Sequence, residues 1–309
     1  MAKLSTLSRI VEVSLPGGTF ALSASRAGAA PERKRPRLLL LHGNPAEMDD
    51  FTELVEHFGS AVEMLALDFP GFGKSCALSL PGTSLLDLFA DCAAAAARHI
   101  GWQDGYYVVG HSHGAAVALT LAARHPAAVA GLILVASLGV PAHASYRQLL
   151  IPGVHGALRA ASGLTKSRAG RWIMRSVVGR ILAPMYHPVR VSAETVEEQL
   201  SRFIARPETL ANMALLARGD PSGQLVRDAE RVRAPALFLC GEEDRVVPVS
   251  HVKAILSLVA RAAPSTLQLL PAAGHMLHRT HAEEVGRRAH EWLAGPTRTS
   301  AQALARQVS

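Results

Sequence analysis

In Tyr106-Tyr-Val-Val-Gly-His-Ser-His-Gly114, an apolar run passes directly into a Gly-x-Ser-x-Gly turn. An alanine-rich segment of helical composition, 115–119, follows at once. A serine at the centre of such a turn adopts a strained backbone conformation, and small flanking residues let strand and helix pack closely. The order of the residues therefore predicts a strand, a sharp turn that exposes Ser112, and a helix.

Short apolar runs recur on both sides of this stretch and alternate with longer segments of helical character. A Pro-Gly-Gly turn at 16–18 joins the first two runs as a hairpin, because glycine supplies the positive φ that tight turns need. The alternation predicts a mostly parallel sheet of eight strands flanked by helices, with ligands at the carboxyl ends of the strands. The runs are 11–15, 19–23, 38–41, 61–67, 106–109, 130–136, 236–239 and 266–270.

The alternation breaks once, between about Leu138 and Arg231, where the residues suggest several helices and no convincing strand. A structureless connection of that length is improbable inside a compact domain. We therefore expect a helical cap over 139–231, inserted into a core formed by 1–138 and 232–309.

The positive charge of the chain is concentrated in this predicted cap. The net charge is +7, yet residues 105–193 hold nine Lys or Arg and no Asp or Glu. Arg168, Arg171 and Arg175 recur at helical spacing beside Trp172 and Ile173, which predicts an amphipathic basic helix. The basic face of this helix could be solvated while the opposite face covers an apolar pocket. Alternatively, it could bind an anionic substrate or acyl carrier, or contact an anionic membrane surface. No nucleic-acid recognition motif accompanies the charge. The other basic residues of the predicted cap are Arg147, Arg159, Lys166, Arg180 and Arg190.

Composition narrows the class of protein further. The chain has 309 residues and is 49% apolar, which is enough for a large core. Residues 1–20 lack the apolar run of a secretion signal and no transmembrane segment is apparent, so we expect a cytoplasmic protein. The three cysteines have neither paired nor metal-ligand spacing, and no HExxH motif occurs, so we expect core packing and neither metal nor cofactor.

Two further motifs stand at the predicted strand ends near the serine turn. Leu38-Leu-Leu-Leu-His-Gly-Asn-Pro45 and Asp68-Phe-Pro-Gly-Phe-Gly73 each begin at or follow a buried run. With the serine turn, they resemble the α/β-hydrolase fold family, specifically its lid-bearing branch of serine esterases, lipases and cofactor-free haloperoxidases. The resemblance implies an oxyanion hole made by the backbone N–H groups of Asn44 and His113, and a structural role for Asp68.

The resemblance also implies a catalytic triad. Gly241-Glu-Glu-Asp-Arg-Val-Val-Pro248 matches the family pattern for the acid, which gives that role to Asp244, and Gly274-His275 follows the last strand. The chain order Ser112, Asp244, His275 is that of the family. The neighbouring Glu242 and Glu243 are expected to be solvated, and five other histidines are expected to have no catalytic role. Among these, His42 and His111 would pack locally, whereas His278, His281 and His290 would be solvated or capping.

Together these motifs predict a serine hydrolase of small or medium carboxylic esters, acting through an acyl-enzyme. Ser112 excludes the covalent ester chemistry of relatives with an aspartate at this turn. A lactonase, a perhydrolase of haloperoxidase type and a carbon–carbon bond hydrolase are alternatives on the same triad. A non-catalytic ligand receptor on this fold is the alternative from another class.

Overall fold

One eight-stranded sheet forms the centre of the molecule. The computed structural model describes residues 4–28, 35–78, 84–142, 167–206, 208–209, 212, 215 and 220–295. The strand order is β1-β2-β4-β3-β5-β6-β7-β8; β2 is antiparallel to both neighbours, and all other pairs are parallel. This confirms the predicted fold class. The strands are β1 Arg9–Leu15, β2 Gly18–Gly28, β3 Arg37–Leu41, β4 Glu63–Leu67, β5 Tyr106–His111, β6 Val129–Val135, β7 Ala236–Gly241 and β8 Ser265–Leu270.

Helices cover both faces of the sheet. Along β3 the side chains alternate, so Leu39 and Leu41 join one buried apolar layer while Leu38 and Leu40 join the other. The first layer includes the alanine-rich helices α2 and α3, whose small side chains allow close packing on the sheet. The α-helices whose bounds the structure gives are α1 Thr52–Phe58, α2 Leu85–His99, α3 His113–Arg124, α4 Arg168–Tyr186, α5 Ala193–Ala205, α6 Ser222–Arg231, α7 Val249–Val259, α8 Leu277–Thr280 and α9 Ala282–Ala294. Within the described residues, three 3₁₀-helices span Leu4–Thr6, Met48–Phe51 and Gly59–Ala61.

The segment between β6 and β7 holds α4, α5 and α6, and its described residues contain no strand. Helix α6 packs on α3, where Thr120 Oγ1 donates to Asp228 Oδ2 at 2.8 Å. Helices α4 and α5 pack on each other around Met174, Val178 and Leu200. The expected boundaries of the cap stay a prediction, and the basic residues Arg147, Arg159 and Lys166 lie outside the described residues.

The register of the central strands brings their carboxyl ends to one edge. Leu41 of β3 pairs with Gly110 of β5, and Val135 of β6 pairs with both His111 and Leu239. Loops that leave these strands therefore meet at this edge, as expected for a parallel sheet. Among the described helices, none is both long and apolar enough to cross a bilayer.

Candidate active site

Ser112 occupies the sharp turn between β5 and α3 with φ +51° and ψ −113°. A positive φ is strained for a residue with a side chain, and such strain persists only where the surroundings fix it. The glycines beside it explain how the turn closes. A Cβ at Gly110 would lie 2.5 Å from the carbonyl oxygen of Gly114, and a Cβ at Gly114 would overlap the carbonyl oxygen of Leu41. Glycine is therefore required at both positions.

Backbone hydrogen bonds hold this turn at the edge of the sheet. The Ser112 N–H donates to Val135 O at 3.0 Å, and the Ser112 carbonyl accepts from Ala115 N at 3.0 Å and from Leu138 N at 3.2 Å. The serine is thus fixed by the end of β6 and by the first turn of α3.

His275 and Asp244 reach the serine from two other loops. Ser112 Oγ lies 3.0 Å from His275 Nε2, and His275 Nδ1 lies 2.9 Å from Asp244 Oδ2. The Asp244 loop follows β7 and the His275 loop follows β8, and both side chains are 2% exposed. The structure brings all three predicted residues into one hydrogen-bonded chain.

The Asp244 carboxylate is held by its own loop as well as by the imidazole. Its Oδ1 accepts from the backbone N–H groups of Val246 and Val247, each at 2.8 Å. Burial alone would raise the pKa of Asp244, but His275 and these two donors outweigh it and lower the pKa below its ordinary value. Asp244 therefore stays ionised, as an acceptor for the imidazole N–H must be.

Three other carboxylates follow strands of the sheet, and their surroundings differ from those of Asp244. They belong to Asp68, Glu242 and Glu243. Asp68 accepts from Met48 N at 2.8 Å and from Lys74 N at 2.9 Å, so it ties two loops together as expected. Burial raises the pKa of Asp68 to about 6. Glu242 and Glu243 are exposed, and Glu243 Oε2 lies 3.1 Å from His187 Nε2.

The loop of residues 42–45, which leaves β3, packs against the serine turn from the other side. The α-carbon of Gly43 lies so close to the next strand that a Cβ there would be 2.8 Å from His111 Nδ1. His42 fixes this loop, because its Nδ1 donates to Gly43 O at 2.7 Å and its Nε2 accepts from Phe69 N at 3.0 Å. Burial lowers the pKa of His42 to about 4, which keeps the ring neutral as this acceptor role requires.

Asn44 and His113 lie on the two segments that meet at Ser112. His113 is the first residue of α3, directly after the serine, and Asn44 is in the 42–45 loop. Both residues are buried. Burial lowers the pKa of His113 to about 3, and its ring packs edge-on against Phe89.

The prediction for His278 is wrong, because this residue is fully buried rather than solvated. Helix α8 is short and turns His278 toward the core, where its ring centroid lies 3.9 Å from that of His111. His111 Nε2 in turn donates to the backbone carbonyl of His275 at 3.1 Å. Two neutral imidazoles thus pack behind His275. His281 and His290 are half-buried.

An ion-pair network that the sequence did not predict joins α5 to the core. Arg202 Nη1 lies 2.7 Å from Asp50 Oδ1, and Arg202 Nε lies 2.7 Å from Glu47 Oε1. Arg279 of α8 contacts the same Asp50 at 3.5 Å and also Glu198 of α5 at 3.3 Å. The network links α5 to residues following the 42–45 loop and to the helix following His275.

The basic face of α4 is partly neutralised. Arg171 and Arg175 both pair with Glu197 of α5. Trp172 is 70% exposed and Ile173 is 47% exposed, so neither side chain packs beneath the helix, where Met174 is buried instead. The described part of the basic helix therefore presents a solvated face that includes two apolar side chains.

A cavity of about 580 Å³ lies beside the 42–45 loop. Pro45, Glu47, Lys74 and Arg202 are among its lining residues, whereas none of the three residues of the hydrogen-bonded chain lines it. In the part of the chain that the structure describes, no group of three or more His, Cys, Asp or Glu could hold a metal ion.

Comparison with known proteins gives one family and several distant relatives. The family model described as alpha/beta hydrolase fold matches residues 36–282. The dihydrolipoyllysine-residue acetyltransferase component of the acetoin cleaving system of Pseudomonas putida is 29% identical over 256 residues, 80% of this chain and 60% of that protein. The chain thus spans less than two thirds of that relative.

Two other comparisons cover most of both partners. The 2-hydroxymuconate semialdehyde hydrolase of Pseudomonas putida is 29% identical over 264 residues, which are 83% of this chain and 86% of that protein. A thermophilic esterase from Thermogutta terrifontis has a similar structure, with a TM-score of 0.67, 22% identity and coverage of 92% of this chain and 98% of that chain. At that identity the structural likeness bears on the fold alone.

Proposed function

Because the chain belongs to the α/β-hydrolase fold family, we propose that it is a serine hydrolase that cleaves carboxylic esters through an acyl-enzyme on Ser112. Its hydrolase relatives indicate hydrolase activity in general. The observation that carries the finer proposal is the hydrogen-bonded chain from Ser112 Oγ through His275 to Asp244, with steps of 3.0 and 2.9 Å. A serine hydroxyl becomes a useful nucleophile at neutral pH only when a base takes its proton.

In the acylation step, Ser112 Oγ attacks the ester carbonyl carbon while His275 Nε2 accepts the hydroxyl proton. Asp244 accepts from Nδ1–H and stabilises the imidazolium that forms. The tetrahedral intermediate then collapses, the carbon–oxygen bond to the alcohol breaks, and His275 returns its proton to the leaving alkoxide. The acyl group remains on Ser112 Oγ.

Negative charge develops on the carbonyl oxygen during this attack. The backbone N–H groups of Asn44 and His113 are the proposed donors, because these residues lie on the two segments that pack together at Ser112. Fixed donors in a buried site need no reorganisation as the charge forms, and losing one typically costs about 10²–10³ in rate. Glycine at position 114 lets the start of α3 lie directly against the carbonyl oxygen of Leu41, so the two segments stay close together.

Deacylation repeats the same steps with water as the nucleophile. His275 Nε2 accepts a proton from the attacking water, and Ser112 Oγ leaves and takes the proton back. The carboxylic acid product is released and the free serine is restored. No group beyond the three side chains and the two backbone donors is needed.

Carbon–carbon bond hydrolysis is the second candidate function. It is favoured by one specific observation, the 29% identity to a 2-hydroxymuconate semialdehyde hydrolase over most of both chains. The same serine, histidine and aspartate would serve a substrate in which a carbon–carbon bond next to a carbonyl group is cleaved.

A p-nitrophenyl ester series from acetate to laurate tests the proposal. We expect turnover by the wild type and a loss of at least about 10⁴-fold in kcat for Ser112→Ala. Ser176→Ala, at an exposed position on α4, is the matched control and should retain wild-type rates. If no ester is turned over while 2-hydroxymuconate semialdehyde is hydrolysed, the second candidate replaces the first.

A further inference from the structure

The side chain of Asn44 is buried, with 8% of the residue exposed, and neither its Oδ1 nor its Nδ2 has a hydrogen-bond partner in the structure. Buried polar groups are normally paired, because leaving one without a partner costs about 1–3 kcal/mol. A buried amide with an unpaired donor and an unpaired acceptor is a group to which an external partner can bind.

The loop that contains Asn44 lies against the turn that contains Ser112. The two residues before Asn44 pack against both sides of the turn, since Gly43 abuts His111 and a Cβ at Gly114 would lie 2.5 Å from the carbonyl oxygen of His42. Ser112 is also 8% exposed, so both residues are almost completely enclosed.

The loop itself does not use the Asn44 amide. Its conformation is held by His42, whose two ring nitrogens pair with Gly43 O and Phe69 N. The neighbouring buried carboxylate, Asp68, is likewise satisfied by Met48 N and Lys74 N. The groups around Asn44 that maintain the fold therefore leave its side chain unused.

We infer that the Asn44 side-chain amide binds a hydroxyl group on the carbon next to the scissile carbonyl, so that the preferred substrates are esters of α-hydroxy acids. The inference rests on the proposed function, in which the backbone N–H of the same residue binds the carbonyl oxygen. The side-chain amide of an asparagine extends no more than about 5 Å from its own backbone nitrogen. A substituent on the carbon next to the carbonyl is therefore within its range.

The two unpaired atoms also indicate which kind of substituent on the substrate would bind to Asn44. An asparagine amide offers a donor and an acceptor, and a hydroxyl can pair with either. A carboxylate at this position only accepts, which would leave Oδ1 of Asn44 without a partner, and a methyl group would leave both atoms without one. A neutral hydroxyl thus fits this environment better than an anionic or an apolar substituent.

Ethyl glycolate and ethyl propanoate form a matched pair for the test, because a hydroxyl in one replaces a methyl group in the other. Each kcat/KM is divided by the rate constant of the same ester with hydroxide, which removes the difference in intrinsic reactivity. We expect the wild type to favour the glycolate by about 100-fold or more, as sites built to bind a substrate hydroxyl do. In Asn44→Leu, which keeps the shape but loses both polar atoms, the preference should fall to within about threefold.

The ratio within each variant isolates the side chain, because any disturbance of the backbone donor affects both esters alike. Circular dichroism establishes whether Asn44→Leu folds; if it does not, the smaller Asn44→Ala takes its place in the same comparison. A wild type that hydrolyses both esters equally, or a variant with an unchanged preference, would overturn the inference and leave the esterase proposal intact. A wild type that hydrolyses neither these nor any p-nitrophenyl ester would overturn the proposed function itself.

Discussion

His275 and Asp244 form a buried pair in which Nδ1 lies 2.9 Å from Oδ2 and each side chain is 2% exposed. The second oxygen of the carboxylate is occupied by Val246 N and Val247 N. Only one orientation of the aspartate satisfies all three donors, and it directs Nε2 of the imidazole to Ser112. In the proposed mechanism, Asp244 would thus fix the tautomer and the direction of His275 as the base.

Replacing the acid by its amide should therefore abolish most activity while preserving the fold. For Asp244→Asn we expect a fall in kcat of about 10⁴-fold, because the amide stabilises the wrong tautomer and no longer balances the imidazolium. Ester hydrolysis at pH 7 measures the effect. Glu243→Gln, in the same loop but exposed, is the control and should stay within about twofold of wild type. Near-normal activity of Asp244→Asn would show that another group supplies the acid.

The packing of the serine turn predicts that a glycine-to-alanine substitution in the turn destabilises the protein, whereas the same substitution in α4 does not. Gly114→Ala would force a Cβ into the carbonyl oxygen of Leu41, so we expect a loss of stability of about 3 kcal/mol and loss of activity. Gly179→Ala in α4 meets nothing closer than Val196 at 3.7 Å and should stabilise the fold by about 0.5–1 kcal/mol. Urea unfolding measures both variants. Equal effects of the two substitutions would contradict the described packing of the turn.

The buried histidine behind the site predicts how stability depends on pH. Burial holds the pKa of His278 well below its ordinary value of 6.5, and His111 and Arg279 lower it further. The unfolded chain therefore takes up a proton that the folded chain does not. The contribution of the neutral His278 to the free energy of unfolding is fully present above pH 6.5. As the pH falls below 6.5, this contribution decreases by up to about 1.4 kcal/mol per pH unit.

His278→Phe removes this titrating group and should flatten the decline in stability between pH 6.5 and 5 by that amount. Urea midpoints measured across the pH range provide the comparison. His99→Gln, at the exposed end of α2, is the control and should follow the wild type. An identical pH dependence in His278→Phe and wild type would argue against burial of the imidazole in solution.

The ion-pair network predicts that α5 is anchored by Asp50. Burial would raise the pKa of this carboxyl, but Arg202 and Arg279 lower it below its ordinary value. Asp50→Ala removes a buried carboxylate that pairs with both guanidinium groups. We therefore expect the free energy of unfolding in urea to fall by about 3–5 kcal/mol.

Glu197→Ala is the matched control for Asp50→Ala, because it also removes a carboxylate that pairs with two arginines, Arg171 and Arg175, but at the surface. Its loss should be no more than about 1 kcal/mol. If Asp50→Ala is as mild as this control, the network does not hold the helix.

The sequence allowed the sheet and the three residues of the hydrogen-bonded chain to be predicted because each follows a buried run. Parallel strands bring such positions to one edge whatever their separation in sequence. The Arg202–Asp50 pair could not be found in this way, because its members are 152 residues apart and no local pattern marks either one. The burial of His278 was missed for a related reason: helix α8 is too short to show a period that would distinguish its inner face.

Isolation of the covalent intermediate would show whether Ser112 carries the acyl group. The wild type is mixed with p-nitrophenyl butanoate, quenched in acid during turnover, digested and analysed by mass spectrometry, with Ser112→Ala treated in parallel. We expect one butanoyl group on the peptide that contains Ser112, and none on the corresponding peptide of Ser112→Ala. Turnover with an unmodified Ser112 peptide, or a butanoyl group mapped to a different residue in both proteins, would contradict an acyl-enzyme on Ser112.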